Sequence, residues 1–420
     1  MITRATDPLI DDLSRHAFRP KRRRPLRGIG AEVEVIPVDA DSGAVCRFES
    51  DSGRSSLAFL RDYGASRNWV EERHPGGGWM FRLPAGGTLT PEPGGQLEYS
   101  SPRCRSITEL MPRMADAMQP LVRAASDVGI TMLPTGIDPL NDLAQVPLQL
   151  SAPRYRKMTT YFEARGGTGV RMMRQTAAIQ VNLDFLEEPM LRWKVLNALA
   201  PYVIAMFANS PIYRGVPSGC QSYRAETWRN TDSSRTGLLA QSEDPVEEYL
   251  RFALNAPAML LPLESEAYRS FGWWWAEGRA GLDDWHAHLT TLFPEVRPRG
   301  YLECRSVDAL PPEWYAVPIC FLAGIVYDRR SLHAAADLIG APDPELLLRA
   351  GIDGLADPDI ADAASDLFAM ALEGCSRFGP EFVAGRDVEV TRAFFERYTR
   401  QGRAPADEAL DRLVATSPAR

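Results

Sequence analysis

Lysine is scarce in this chain of 420 residues: Lys21, Lys157 and Lys194 are its only three, so arginine makes up almost all of the 47 basic side chains. Folds that grip nucleotide phosphates through lysine are disfavoured, and no GxxxxGK[ST] loop is present. A basic excess is missing too. The net charge of −8 argues against a general nucleic-acid or membrane-surface binder. The six cysteines (Cys46, Cys104, Cys220, Cys304, Cys320 and Cys375) include no CxxC pair, so zinc knuckles and disulfide frameworks are not expected and a reducing compartment is. Apolar runs are short. Val195–Ala208 is interrupted by Asn197 and Pro201 and cannot cross a bilayer, and the first thirty residues hold no apolar run of the kind an export signal needs. The expectation is a soluble, cytoplasmic protein without membrane or nucleic-acid partners.

Composition is that of a globular protein, with 45% hydrophobic and 24% charged residues in 46.6 kDa, enough for one large or two ordinary domains. Residues 1–24 read as a basic N-terminal arm, a solvated entry segment ending in Lys21, Arg22, Arg23 and Arg24. Residues 25–420 read as a single domain, mainly helical beyond about 330, with breaks at Gly340, Pro342, Pro358 and Pro380. Alternation predicts strands at Ala31–Ile36, stopped by Pro37, and at Gln96–Ser100, Ile179–Phe185 and Tyr301–Val307. Gly76, Gly77 and Gly78 fit a hairpin turn. Ser106 and Glu109 stand at capping-box spacing before a helix whose apolar face runs from Leu110 to Val122, and a buried helix is expected from Met190 to Asn209. Strands and helices mix irregularly, which favours an α+β class with an antiparallel sheet.

The polar faces of the strands are the informative feature. Side chains two apart on a strand share a face. Glu32 and Glu34 therefore lie together, as do Gln96 and Glu98, Gln180 and Asn182, and Glu303 and Arg305, each set backed by apolar residues. A half-solvated sheet is the ordinary explanation. Clustered carboxylates, however, repel unless cations lie between them, and hard oxygen ligands suit Mg²⁺ or Mn²⁺ accompanied by nucleotide phosphates. Cys304 falls on the opposite face and reads as core. His286 and His288 form an HxH that admits a metal-pair reading, and His16, His74 and His333 show no evident partner.

The chain resembles the glutamate–cysteine ligases of plant and proteobacterial type, including the related ligase of ergothioneine biosynthesis. The resemblance is carried by GIGAEVEV (28–35), EPGGQLEYSSP (92–102), RYRKMTTYF (154–162), RMMRQTAAIQVNLDF (171–185), FANSPIYRG (207–215), SYRAETWRNTDSSRTG (222–237) and DWHAHLTTLFPEVRPRGYLECRSVD (284–308). It implies that residues 25–420 form one catalytic domain with a glutamine-synthetase-like fold: a curved, mostly antiparallel sheet with helices packed on its outer side. It also implies an ATP-dependent ligase in which the glutamate γ-carboxylate takes the ATP γ-phosphate and the amine of cysteine then displaces phosphate.

By this resemblance Glu32, Glu34, Glu98 and Glu303 are metal ligands for Mg²⁺ (or Mn²⁺), and Glu303 and Arg305 are catalytic. Gln180, Asn182 and Arg305 line the ATP site, while Arg224, Trp228 and Arg235 contact substrate; for Arg224 and Arg235 a surface ion pair is the alternative. His288 matches the family pattern and His286 does not, which favours a structural or substrate-side role for His288. Two departures stand out: residues 261–283 are shorter than in many relatives and carry Trp273, Trp274 and Trp275, and the cysteines used for redox control in plants have no clear counterpart. The shortened stretch, if near the acceptor site, leaves open a γ-glutamyl ligase that uses another amine. A non-catalytic relative ranks last, since all four carboxylates are present.

Overall fold

The computed structural model describes residues 7–19, 27–51, 54–73, 78–239, 241–261 and 267–416. Nine strands form one sheet: β1 (Ile29–Asp39), β2 (Val70–Arg73), β3 (Trp79–Arg82), β4 (Thr88–Pro91), β5 (Leu97–Ser100), β6 (Ile130–Leu133), β7 (Ala178–Leu183), β8 (Val296–Pro298) and β9 (Leu302–Asp308). Their order is β8-β9-β7-β1-β5-β4-β3-β2, with β6 added to the far end of β1, and every neighbouring pair is antiparallel. The α+β class and the antiparallel sheet are thus present as expected.

Alternation sorts the two faces. Ala31, Val33 and Val35 of β1 and Ile179 and Val181 of β7 are buried beneath helices, while Glu32 and Glu34 turn the other way. The covering helices include α3 (Ile107–Asp127) on β6, α6 (Pro189–Met206) on β9 and α11 (Ala316–Val326) on β7. Helices α6 and α11 are apolar on most sides because further helices enclose them, so their burial is nearly complete.

Three local expectations change. Strand β1 does not stop at Pro37 but runs on to Asp39. It leaves β7 after Val33 and β5 after Val35, pairs with β6 from Ile36 to Asp39, and at Pro37 the carbonyl, which proline retains, accepts from Cys46 N at 3.1 Å. At α3 only half of the capping box forms: Ser106 accepts from Glu109 N, but the Glu109 carboxylate takes Arg105 N. The arm is a larger correction. Residues 7–19 form a short helix, α1 (Asp7–Asp12), and a wide turn, and they place Leu9 and Leu13 in the core. Phe18 packs edge-on against Trp193 and Tyr249, and Gly300 N donates to the Ala17 carbonyl. Sparse leucines on a charged segment are enough for docking when the body offers an apolar seat. The basic run at residues 21–24 lies outside the described residues, as do Gly76 and Gly77, although β2 and β3 on either side of them pair as a hairpin.

Strand β9 carries a bulge. Cys304 pairs with Val181 but Val307 pairs with Ile179, so Arg305 and Ser306 together oppose Gln180. Alternation is therefore interrupted at Arg305.

Candidate active site

Register decides which polar side chains meet. Across β1–β5 Glu34 lies opposite Glu98, across β1–β7 Glu32 lies opposite Gln180, and across β7–β9 Asn182 lies opposite Glu303. Residues opposite each other share a face, so the four predicted strands present their polar sides together. That face floors a cavity of about 810 Å³, lined among others by Glu32, Glu34, Gln96, Glu98, Gln180, Arg224, Trp228 and Arg305.

Gln180 joins the two kinds of charge. Its Nε2 lies 3.5 Å from both Glu34 Oε1 and Glu98 Oε2, and its Oε1 accepts from Arg305 Nη1 at 2.6 Å. Asn182 does not reach the cavity wall; it donates to Glu32 at 3.1 Å. Glu34 also accepts from Ala178 N at 2.7 Å, and Glu98 from Ser100 at 2.9 Å. Burial, with repulsion from Glu98 and Glu303, pushes the Glu32 carboxyl up to about 8. Burial raises Glu34 to about 7 against the pull of Arg224, and burial with repulsion from Glu34 raises Glu98 to about 7. These are acids that ionise readily only beside a cation.

The cationic half is built around Glu303, which is fully buried. Its carboxylate accepts from Arg297 Nε at 2.6 Å, Arg305 Nη1 at 2.9 Å and Arg299 Nη1 at 3.1 Å. Burial alone would raise this carboxyl, but Arg297, Arg305 and Arg299 hold it well below the usual carboxylate range. Glu303 does not line the cavity, and both of its oxygens are engaged. Its place is that of an anion gathering three guanidinium groups, different from the ligand role implied by the resemblance.

Helix α7 (Tyr223–Arg229) is capped by Ser222 and sets Arg224 and Trp228 on the cavity wall. Arg224 Nη2 donates to the Arg305 carbonyl at 2.6 Å, and both guanidinium groups lie over the Trp228 ring, at 5.0 and 5.5 Å. Asp308, deep below, accepts from Ser210, Ser222 and Asn209 N and lies 3.7 Å from Arg224 Nη1. Buried Nε–H groups of Arg154, Arg224 and Arg305 find no protein acceptor among the described residues. All three line the cavity, which suits an anionic ligand.

Arg235 is a correction. It is fully buried, away from the cavity, and donates to Asp232, Tyr161 and the carbonyls of Thr291 and Pro257. A guanidinium engaged on all sides by protein has no donor left for substrate. The HxH is not a pair either. His288 is buried, stacked on Phe271 at 4.7 Å with Nε2 on the Ala253 carbonyl, and burial depresses it to about 3. His286 turns out to Asp12, where His16 also binds, and His333 pairs with Glu188. His74 lies outside the described residues.

Several lining residues were not singled out from the sequence. Glu92, in the turn after β4, adds a fourth carboxylate whose acidity is strongly suppressed by burial and by Glu98. Arg297 and Arg299 stand two apart beside the β8–β9 turn, a spacing that would have signalled one shared face. Among the described residues of the shortened stretch, 261 and 267–283, none lines the cavity, and Trp273, Trp274 and Trp275 lie away from it.

The donor set of Glu32, Glu34 and Glu98 suits a hard divalent cation. Among the described residues, however, no three His, Cys, Asp or Glu side chains converge into a ready cage.

Comparison with known proteins gives the family. The family model described as glutamate-cysteine ligase family 2 matches residues 29–419. The glutamate–cysteine ligase EgtA of Mycobacterium tuberculosis is 33% identical over 358 residues, covering 80% of this chain and 79% of that protein. The chloroplastic glutamate–cysteine ligase of Nicotiana tabacum is 32% identical over 348 residues, covering 77% and 65%. The crystal structure of a Francisella tularensis glutamate–cysteine ligase in complex with AMP aligns with a TM-score of 0.48 at 13% identity, over 96% of this chain and 97% of the other. With its carboxylate floor and arginine wall, and a family match spanning nearly the whole chain, this protein belongs to the glutamate–cysteine ligase family.

Proposed function

We propose that the protein joins glutamate to the amine of cysteine at the expense of ATP, forming γ-glutamylcysteine through a γ-glutamyl phosphate. The observation that carries this reading is one cavity in which half-buried carboxylates on β1 and β5 face arginines on β9 and α7. A carboxylate is a poor acyl donor because oxide would have to leave, so it must first be phosphorylated. The transferred group carries charge on several oxygens, which planar guanidinium groups match.

Glu32, Glu34 and Glu98 would hold Mg²⁺ or Mn²⁺; the ion supplies neutralisation of phosphate charge when bound. Arg305 meets the phosphoryl group, fixed from behind by Gln180 and Glu303, and Arg224 binds phosphate or the substrate carboxylate from the adjoining wall. Trp228 supports both guanidinium groups through its ring face. Gln180 relays position between the carboxylates and Arg305, and Asn182 orients Glu32. Asp308, through Arg224, is a positioning residue. None of these groups needs to move for the phosphate-binding wall to form, which suits stabilisation of charge developing in transfer.

A cytoplasmic, reducing setting belongs to the same reading, supported by six cysteines that are all free thiols. No helix among the described residues is long and apolar enough to cross a membrane. The decisive experiment follows a heavy-oxygen label in the glutamate γ-carboxylate. Label appearing in released phosphate, with ADP as co-product, is expected; AMP and pyrophosphate would show adenylation instead and overturn the reading.

A further inference from the structure

The cavity is graded from floor to mouth. Arg305 on the floor is nearly inaccessible, whereas the side chains of His16 and His286 are 71% and 53% exposed yet still line the same cavity. Both rings are held by one carboxylate: Asp12, itself 9% exposed, accepts from His16 Nδ1 at 2.7 Å, His286 Nε2 at 3.0 Å and Trp285 Nε1 at 3.1 Å. Asp12 and His16 come from the docked N-terminal segment and His286 from the helix Leu282–Leu289, 270 residues later in the chain. Arg299 lines the same cavity, its chain neighbour Gly300 donating to the Ala17 carbonyl of the segment and one of its own nitrogens bound to Glu303.

Chemistry at this mouth differs from that on the floor. With the Asp12-facing nitrogen of each ring protonated, His16 Nε2 and His286 Nδ1 are lone-pair acceptors with no partner among the described residues. Arg299 is a donor only. Acceptors that share a cavity with a fixed cation complement the two ends of an α-amino acid, its ammonium and its carboxylate, and a ring lone pair can take the proton that the ammonium must lose before it attacks. The order of the chemistry points the same way. The activated acyl group must form deep and dry, and the amine that attacks it arrives last, from the open side.

We propose that His16 and His286, clamped by Asp12, form with Arg299 the subsite for the acceptor amino acid, so that the N-terminal segment is part of the active site; this rests on the ligase reading above. The test separates contact from scaffolding. Asn places its Nδ2 where His16 presents Nδ1, and Gln places its Nε2 where His286 presents Nε2. His16→Asn and His286→Gln therefore keep the hydrogen bond to Asp12 while removing the ring nitrogen offered to the acceptor.

Steady-state kinetics of ADP release are measured on the full chain for ATP, glutamate and the amine, with a panel of amino acids run first on the wild type to identify the acceptor. Each variant should raise the KM of the acceptor roughly tenfold, as expected for one lost hydrogen bond, with the KM of ATP and glutamate within about twofold. An unchanged acceptor KM in both variants overturns the subsite. So does a parallel rise in all three KM values, which would mark the pair as a clamp only. Wild-type protein that releases ADP with an amine but makes no γ-glutamyl product refutes the proposed function separately, and absence of any amine-dependent turnover overturns both.

Discussion

Arg305→Lys tests the division of labour between the two halves of the cavity. The substitution keeps the charge but replaces a planar fork with a compact ammonium one atom shorter in reach. Arg305 gives Nη1 to both Gln180, at 2.6 Å, and Glu303, at 2.9 Å, and keeps a buried Nε–H without an acceptor among the described residues. Lysine can retain at most part of that pairing. The fold should tolerate the change, because Glu303 keeps Arg297 and Arg299 and no unpaired anion is left. Loss of one charge-assisted contact then costs about 1–2 kcal/mol of stability. The catalytic loss should be larger. A preorganised donor aimed at charge developing in phosphoryl transfer is worth about 3 kcal/mol, or roughly a hundredfold in kcat. Ground-state binding should suffer little, since Arg224 and Arg154 remain on the wall, so the KM of ATP should move by only a few-fold. Phosphate release under saturating glutamate, ATP and amine, on protein with an unchanged circular-dichroism spectrum, is the assay. A near-normal kcat in the folded variant would refute the catalytic role and leave Arg305 as a structural partner of Glu303.

Three further outcomes are expected. Chelation should abolish ATP turnover, and Glu98→Gln should weaken nucleotide binding together with activity while leaving the protein folded, because removing one of two facing carboxylates relieves repulsion with Glu34; turnover that persists in chelator would sink the metal assignment. Burial would raise the Asp232 carboxyl, yet hydrogen bonds from Tyr161, Arg235 and Ser234 bring it from 3.8 to about 2, so its contribution is complete above the unfolded value and lost as pH falls from about 4 towards 2; it amounts to about 2 kcal/mol, and unfolding curves of Asp232→Asn should lack that acid limb. Gly94→Ala should destabilise by about 3 kcal/mol, since the added methyl would stand 1.9 Å from the Arg174 carbonyl oxygen; a melting temperature equal to wild type would show that α5 (Thr168–Gln175) can yield there.

What was legible in the chain was whatever depends on period two. Glu32 with Glu34, Gln96 with Glu98 and Gln180 with Asn182 are local pairs, and local geometry places each on one face before any tertiary contact is known. Partner choice was not legible. Arg224 and Arg235 occur in one motif, yet only Arg224 reaches the cavity, because Asp232, three residues before Arg235, helps to turn the latter inward. Glu303 looked like another floor carboxylate until a turn brought Arg297 and Arg299 back over it. The docked segment was hidden for the opposite reason. Leu9, Leu13 and Phe18 are too few to signal an element, and their seat is made of residues such as Trp193 and Tyr249, far along the chain. Long-range pairing of that kind leaves no local periodicity to read.

The bulge in β9 acts as a parity switch within one strand. Upstream of it the odd-numbered Glu303 shares a face with Asn182; downstream the even-numbered Asp308 takes the position opposite Ala178, whose neighbourhood lines the cavity. The reading frame of inside and outside therefore changes between Cys304 and Val307, and the strand serves the arginine cluster with one parity and the Asp308 hub with the other. Removing a single residue there would realign the two frames and turn one of these polar groups out of its place, whereas substitutions that keep the count would leave the frame intact. For a designer grafting this site, the length of the segment from 304 to 307 is a constraint in its own right, beside the identity of Arg305 within it.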